Sequence, residues 1–128
     1  MIQAKDRRRF HRVNMDEEVD VELSGVVYNR CRIKNISIGG MFIDGCFPPK
    51  KTENFEIKIS DKQKIKEPRF QASVVVAWNN KEGVGLKFTA MNSDSYMFLR
   101  SKLINSAELL AIILYDLTRT CPFEIVNA

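Results

Sequence analysis

A cluster of arginines near the amino terminus is the part of the sequence best suited to binding chemistry. It consists of Arg7, Arg8, Arg9 and Arg12, four arginines within six positions. A guanidinium group stays charged, stacks on flat rings, and presents a rigid fork of donors that matches phosphate oxygens. The cluster therefore predicts an anionic ligand. Taken alone, it also fits a solvated basic arm or nonspecific attraction to nucleic acid.

A second segment, Asn35-Ile36-Ser37-Ile38-Gly39-Gly40, combines short polar side chains with glycines. Asn35 and Ser37 offer hydrogen-bond donors and acceptors at similar reach. Glycine has no Cβ, so the backbone at this segment can approach a ligand closely. The same residues could instead simply form a turn. Together with the arginines, the segment points to a small ligand that carries phosphate and a guanine-like base.

Length and composition are those of an ordinary globular protein. A chain of 128 residues usually forms one domain, and 45% hydrophobic with 28% charged residues indicates a folded, soluble protein. The formal net charge is only +4, and much of the excess lies between Lys5 and Arg12. We therefore expect a local anion-binding site and not a protein that coats DNA.

The amino-terminal and cysteine patterns predict a cytoplasmic protein. The chain becomes charged at Lys5 without an apolar stretch, so we expect no secretory signal. The sequence has no run of about 18 apolar residues, so we expect no membrane insertion. The three cysteines, Cys31, Cys46 and Cys121, are odd in number and lack C-x-x-C spacing. Neither a disulfide framework nor a zinc site is predicted, which fits a reducing compartment.

Patterns typical of catalysis are missing from the sequence. His11 is the only histidine, so a metal site or a histidine-based triad would lack its usual partners. The adjacent carboxylates Asp16, Glu17 and Glu18 are typical of a solvated segment. Common phosphate-hydrolysing, metalloprotease and hydrolase motifs do not occur. We therefore predict no enzyme activity, no catalytic residue, no metal and no cofactor.

Alternating apolar residues predict a body rich in β-structure. Val19, Val21 and Leu23 alternate along a first strand. Ser24-Gly25 then gives a two-residue turn signal, and a returning strand follows over residues 26–36. Further short strands are predicted over residues 41–43, 55–59, 70–78 and 84–88. Short strands joined by Gly, Pro and Asn turns indicate an antiparallel barrel or sandwich.

After Asn92 the apolar period becomes helical. Apolar residues recur at spacings that fit steps of three and four: Tyr96, Leu99, Leu103, Leu110, Ile113 and Leu117. Asn92 or Ser93 can cap the start of this helix, and Asn105-Ser106 can interrupt it. Part of the helix is apolar on most sides. One face can therefore pack on the barrel and another on a second copy of the chain or on a protein partner.

These patterns divide the chain into three parts. Residues 1–17 are polar and charged, which predicts a flexible basic arm that carries the arginines and is ordered by its ligand. Residues 18–119 are predicted to form the barrel with its helix. Residues 120–128 are predicted to form a tail that leaves the helix at Cys121-Pro122.

The two polar segments together resemble the PilZ domain family, bacterial receptors for cyclic di-GMP. The first motif of the family, Arg-x-x-x-Arg, is matched by Arg8 and Arg12. The second motif, Asp/Asn-x-Ser-x-x-Gly, is matched by Asn35, Ser37 and Gly40. Either motif alone is weak, whereas the ordered pair is specific.

A third similarity lies near the end of the predicted strands. Trp78 leads, after a turn, into Gly83-Val84-Gly85-Leu86-Lys87-Phe88, which is similar to the closing strand of the family. Order and separation agree across residues 6–100. The resemblance implies a mainly β fold, a six-stranded antiparallel barrel with a carboxy-terminal α-helix. It also implies that cyclic di-GMP is held between the arm and the barrel.

The resemblance assigns the arginines individually. Arg8 and Arg12 are expected to clamp the ligand, since an arginine fork can pair with guanine O6 and N7 as well as with phosphate. Arg7 matches a position that influences whether relatives hold one or two ligand molecules, and an arginine there resembles the version that favours an intercalated pair. Arg9 and His11 are not assigned to the site.

The second motif supplies the remaining ligand contacts that the resemblance implies. Asn35 and Ser37 are expected to hydrogen-bond the ligand, while Gly39 and Gly40 let the backbone lie close to it. Where the family often carries aspartate, the amide of Asn35 offers a single acceptor oxygen. Full pairing with the N1–H and N2–H₂ groups of guanine is therefore in question.

The function that the sequence favours is a non-enzymatic cyclic di-GMP receptor. We expect its arm to close over one or two ligand molecules and alter the surface presented to a downstream protein. One alternative is a PilZ-type adaptor that acts mainly through the helix over residues 96–117. Another is a small basic barrel that binds single-stranded nucleic acid, although the aromatic residues occupy positions expected in a core.

Overall fold

Most of the described chain is β-structure followed by two helices. The computed structural model describes residues 10–47, 54–60, 68–106, 108–119 and 121–126. The elements within these ranges are, in chain order, β1 (Val13–Leu23), β2 (Val26–Ile36), β3 (Gly40–Asp44), β4 (Asn54–Ser60), β5 (Phe70–Asn79), β6 (Gly83–Asn92), α1 (Ser93–Ser106), α2 (Leu110–Thr118) and β7 (Glu124–Val126).

The first six strands form a closed antiparallel barrel. Their order is β3-β2-β1-β4-β5-β6, and β3 also pairs with β6, which closes the ring. Closure leaves these strands without a free sheet edge along the paired residues. The predicted fold class, a six-stranded antiparallel barrel followed by helical structure, is confirmed.

The alternating apolar residues of each strand point into the barrel. The buried side chains include Val21, Leu23, Ile57 and Phe88. The ring of Phe70 packs against that of Phe88, with their centroids 5.6 Å apart. Because successive strand residues face opposite sides, this alternation builds one continuous core. The helices add to the same core through the fully buried side chains Leu99, Leu103 and Ile113.

The hairpin between β1 and β2 has the predicted tight turn. Ser24 and Gly25 both have positive φ angles, 54° and 83°. Two successive positive φ values characterise the type I′ turn, whose twist matches that of the flanking strands. Leu23 is accordingly paired with Val26, so the turn sets the register of the first hairpin.

The first strand starts earlier than the apolar alternation predicts. Residues 13–17, which the sequence pattern assigns to the arm, belong to β1, where Val13 pairs with Ile36 and Glu17 with Ile33. This part of β1 is held by backbone pairing to β2, and its side chains are mostly polar. Alternation of apolar residues therefore could not reveal it.

The carboxylates of β1 lie in ion pairs with neighbouring elements. Asp16 lies 3.3 Å from both Arg32 and Lys34 of β2, and Glu17 lies 2.7 Å from Lys102 of α1. A hydrogen bond from Lys34 is the main cause that lowers the pKa of Asp16 below its ordinary value. These contacts give Asp16 and Glu17 structural partners in β2 and α1.

The helical region also differs in detail from the single predicted helix. It is divided into α1 and α2, and the division follows Asn105-Ser106, where an interruption is predicted. Asn92 caps α1, since its side-chain oxygen accepts a hydrogen bond from the Ser95 backbone N–H at 2.8 Å. The tail then returns to the sheet as β7, which pairs in parallel with the end of β6 and was not predicted.

Close approach of β3 and β6 depends on glycines at their contact. A Cβ on Gly83 would overlap the carbonyl oxygen of Ile43 in the facing strand. At Gly85, an added Cβ would meet a side chain and not the backbone: the ring of Trp78. This ring stacks on Phe42 at a centroid distance of 4.9 Å, and Trp78 is 45% exposed. A backbone oxygen in a ladder cannot move aside, whereas an exposed ring can.

We expect Gly83→Ala to lower the free energy of unfolding by about 1–3 kcal/mol, because the added methyl group forces the closing strands apart. Gly85→Ala is the matched control and should cost less, since only a half-exposed ring must move. Urea unfolding of both variants measures the difference. Equal stability of Gly83→Ala and the native protein would contradict this account of barrel closure.

Candidate ligand-binding site

The second motif forms a tight turn between β2 and β3. The backbone N–H of Ser37 donates to the carbonyl oxygen of Gly40 at 2.8 Å. The Ser37 hydroxyl oxygen accepts hydrogen bonds from the N–H groups of Gly39 and Gly40, at 3.1 and 3.3 Å. Ser37 is only 3% exposed. Its hydroxyl is therefore a structural part of the turn, whatever contact it also makes to a ligand.

The glycines of this turn meet other parts of the protein. A Cβ on Gly40 would overlap the carbonyl oxygen of Leu86 in β6, so barrel closure by itself requires glycine there. A Cβ on Gly39 would come to 3.3 Å from the Phe10 ring. The Gly39 carbonyl oxygen accepts from the backbone N–H of Phe88 at 2.9 Å. These contacts hold the turn between the arm and β6.

A hydrogen bond joins the first motif to the second. Nη1 of Arg12 donates to Oδ1 of Asn35 at 2.8 Å. Arg12 immediately precedes β1, and pairing of Asn14 with Asn35 in adjacent strands places the two side chains together. Because Asn35 has only one side-chain oxygen, a guanine edge bound at this position would share that oxygen with Arg12.

A cleft lies beside this pair. It has a volume of about 970 Å³, at the upper end of the range for small-molecule sites. Its lining residues are Phe10, Arg12, Ser37, Gly39, Ala77, Leu86, Lys87, Thr118, Arg119, Cys121 and Pro122. Within the described part of the lining, the charged residues are Arg12, Lys87 and Arg119, and all three are cations. The cleft therefore suits an anionic ligand with flat apolar surfaces.

Two of these cations come from outside both motifs. Lys87 pairs with Gly40 across the closing strands, so barrel closure brings it beside the motif turn. The guanidinium carbon of Arg119 lies 4.3 Å from the centroid of the Phe10 ring. Sequence reasoning did not select Phe10, Lys87 or Arg119. The alternation of β6 could have placed Lys87 on the outer face, but no spacing relates Arg119 to the motifs.

Helix α2 holds the backbone of the arm where it joins the barrel. Oδ2 of Asp116 accepts the backbone N–H of His11 at 2.8 Å. Oδ1 of the same carboxylate lies 3.4 Å from Nη1 of Arg119. Asp116 is 6% exposed, and hydrogen bonds to a buried carboxylate are stronger than those between neutral groups. Residues 10–12 are thus fastened between α2 and the second motif.

The structure brings together the predicted site residues that it describes. Arg12, Ser37 and Gly39 line the cleft, and Asn35 contacts Arg12. Gly40 completes the turn through its hydrogen bonds with Ser37. The predicted positions Arg7 and Arg8 lie outside the described residues.

The residues that the structure describes contain neither a membrane-spanning helix nor a cluster of metal ligands. None of the described helices is both long enough and apolar enough to cross a membrane. Within the same residues, histidine, cysteine, aspartate and glutamate side chains form no group of three or more that could hold a metal ion.

The sequence from residue 6 to residue 106 matches the model of the PilZ domain. The match includes both motifs and the whole six-stranded barrel, and the chain belongs to the PilZ domain family. Domains of this family are in general cyclic di-GMP-binding and adaptor domains of signalling systems. A comparison with curated proteins finds no match. Helix α2 and β7 follow the last matched residue.

We expect Ser37→Ala to destabilise the protein by about 1–3 kcal/mol, because it leaves two backbone N–H groups of a mostly buried turn without their acceptor. Ser37→Thr keeps the hydroxyl and is the matched control. Thermal unfolding without ligand measures this contribution separately from binding. An unchanged melting temperature for Ser37→Ala would show that its hydroxyl does not stabilise the turn.

Proposed function

We propose that this protein is a non-enzymatic receptor for cyclic di-GMP. The observation that carries the proposal is the hydrogen bond between Arg12 and Asn35 at the edge of a cation-lined cleft. That bond joins the two motifs on which the family resemblance depends. Cyclic di-GMP combines two phosphates with two flat guanine bases, which match the positive charge and the apolar lining of the cleft.

Arginine suits both halves of this ligand. A guanidinium fork can pair with O6 and N7 of guanine, can stack on a base, and can neutralise a phosphate. In the proposed complex Arg12 acts from the start of β1, and Arg8 acts from the arm four residues earlier. Ser37, Gly39 and Gly40 offer the turn as a close backbone surface.

Binding is proposed to order the arm over the ligand and so to change the surface seen by a downstream protein. Such a switch requires that the ligand bind the ordered arm more tightly than the free one. Arg7 is proposed to help hold a second ligand molecule, since an additional cation can neutralise and stack on it. The proposed setting is the bacterial cytoplasm, where cyclic di-GMP acts as a second messenger.

The adaptor function has separate support from the surface of α2. Four large apolar side chains of this helix are 42–65% exposed: Leu110, Ile112, Leu114 and Tyr115. Contiguous apolar side chains on a surface commonly mark a protein–protein contact. We propose that this face docks either a partner protein or a second copy of the chain. An adaptor without a ligand would keep this face and fail to bind cyclic di-GMP.

Isothermal titration of the purified protein with cyclic di-GMP should show saturable binding in the micromolar range or tighter. Arg12→Ala and Arg8→Ala should each weaken it by roughly 1–3 kcal/mol, about fivefold to 150-fold in Kd. Arg100→Ala, an exposed arginine on α1 that does not line the cleft, is the matched control and should bind normally.

The same titration tests ligand number and identity. Two molecules per protomer are expected, and one would overturn the role proposed for Arg7. No saturable binding by the native protein at tens of micromolar would refute the receptor function and leave the adaptor function. Native affinity in Arg8→Ala would refute the clamp.

Asn35→Asp should tighten cyclic di-GMP binding. A carboxylate has two oxygens, so one can hold Arg12 while the other accepts from guanine, and hydrogen bonds to a charged group are stronger by about 1 kcal/mol. We expect a Kd lower by about fivefold. Asn14→Asp, on the paired residue of β1, adds the same charge beside the site and is the matched control. Equal or weaker binding by Asn35→Asp would show that guanine is not recognised at this position.

A further inference from the structure

The chain beyond the PilZ match contributes one side of the cleft. The match ends at residue 106. Nevertheless, four residues beyond it line the cleft: Thr118, Arg119, Cys121 and Pro122. We call these four residues the C-terminal wall. They line the same cleft as Phe10, Arg12 and two residues of the motif turn, Ser37 and Gly39. A ligand in the cleft can therefore contact both the family motifs and a segment that the family match does not include.

The C-terminal wall is anchored on both sides by buried residues. Before it, Ile113 of α2 is 1% exposed and belongs to the barrel core. After it, Phe123 is 7% exposed and packs edge-on against Phe88 at 5.9 Å, and β7 then pairs with residues 90–92 of β6. The wall is thus held in place before a ligand arrives, which reduces the ordering cost of a contact made to it.

Arg119 is the member of the wall best placed for ligand chemistry. Its guanidinium stacks on Phe10, and Asp116 holds one of its nitrogens at 3.4 Å. A guanidinium carries five N–H donors in a fixed fork, a geometry that phosphate oxygens match. Its side chain is 24% exposed. Arg119 therefore combines a defined position with access to the cleft.

Charge favours a phosphodiester as the group that Arg119 meets. Among the residues that the structure describes, the cleft lining contains the cations Arg12, Lys87 and Arg119 and no carboxylate. Two of the three cations come from different segments of the chain, Arg12 from the segment before β1 and Arg119 from the C-terminal wall, and both line the same cleft. A ligand with two phosphodiesters can engage both, and each contact is a charge-assisted hydrogen bond.

We propose that Arg119 is a further ligand-binding residue, which contacts a phosphodiester of the cyclic dinucleotide, and that the C-terminal wall is part of the ligand site. Asp116 is the positioning residue for this contact, because one carboxylate fastens both Arg119 and the backbone of His11. The proposal rests on the proposed function. It adds to the family motifs a contact that belongs to this chain.

Calorimetry on variants of Arg119 tests the contact directly. Arg119→Ala should weaken cyclic di-GMP binding at least tenfold. Arg119→Lys should lose only a fewfold, because phosphate responds mainly to the positive charge, and Arg100→Ala should bind as the native protein does. Native affinity in Arg119→Ala, or tighter binding, would overturn the contact. Melting temperatures of all variants identify any loss that arises from unfolding.

The rate at which Cys121 is alkylated tests the C-terminal wall without a substitution in it. The chain has three cysteines. Cys31 and Cys46 are fully buried, while Cys121 is exposed and lines the cleft. Iodoacetamide should therefore react with Cys121 first in the folded protein. Saturating cyclic di-GMP should slow this reaction at least fivefold, whereas GMP at the same concentration should not, and Cys121→Ser should remove the fast reaction.

The outcomes separate this proposal from the proposed function. Native protein that binds cyclic di-GMP but alkylates at an unchanged rate would show that the ligand does not touch the C-terminal wall. Faster alkylation would show that the wall leaves the barrel on binding, which also overturns the proposal. If the native protein fails to bind cyclic di-GMP in calorimetry, the proposed function fails, and this proposal fails with it.

Discussion

The pairing of β3 with β6 is the contact on which the rest of the structure depends. It converts a curled sheet into a closed barrel, and it is possible because glycines at positions 40 and 83 let the two backbones approach. The same contact gives the motif turn its position, since Gly39 bonds to Phe88 and Gly40 lies against Leu86 and opposite Lys87. Closure of the core and assembly of the cleft are thus one event. A residue that appears in a ligand motif can be needed for both.

The site has two layers of support. The barrel fixes the motif turn, and α2 fixes the segment that carries Arg12. Asp116 is central to the second layer, because it binds the backbone of His11 and the side chain of Arg119 from a mostly buried position. The outer face of the same helix exposes Leu114 and Tyr115. A helix that touches the arm on one face and solvent on the other is physically suited to link events in the cleft with a surface contact.

The sequence predicted the fold well where a local pattern reports a local structure. Alternation located the strands after Val19, and the Ser24-Gly25 signal located a turn whose two positive φ values are those of a type I′ hairpin turn. The predictions failed where structure depends on a distant partner. The start of β1 is polar and held by pairing with β2, and β7 exists because Phe123 and the end of β6 offer it a place. Neither pairing produces a periodic pattern of apolar residues in the sequence.

The candidate site divides in the same way. By itself, the sequence determined the chemical types at the two motifs and their order, because arginine forks, short polar groups and glycines are properties of single residues. The tertiary structure alone decided that Arg12 meets Asn35 and that barrel closure sets Lys87 beside Gly40. It also decided that Arg119 stacks on Phe10, from which it is more than a hundred residues distant in the sequence. The physical reason is that chain closure, core packing and strand register bring distant residues together, and none of these acts between neighbours in the sequence.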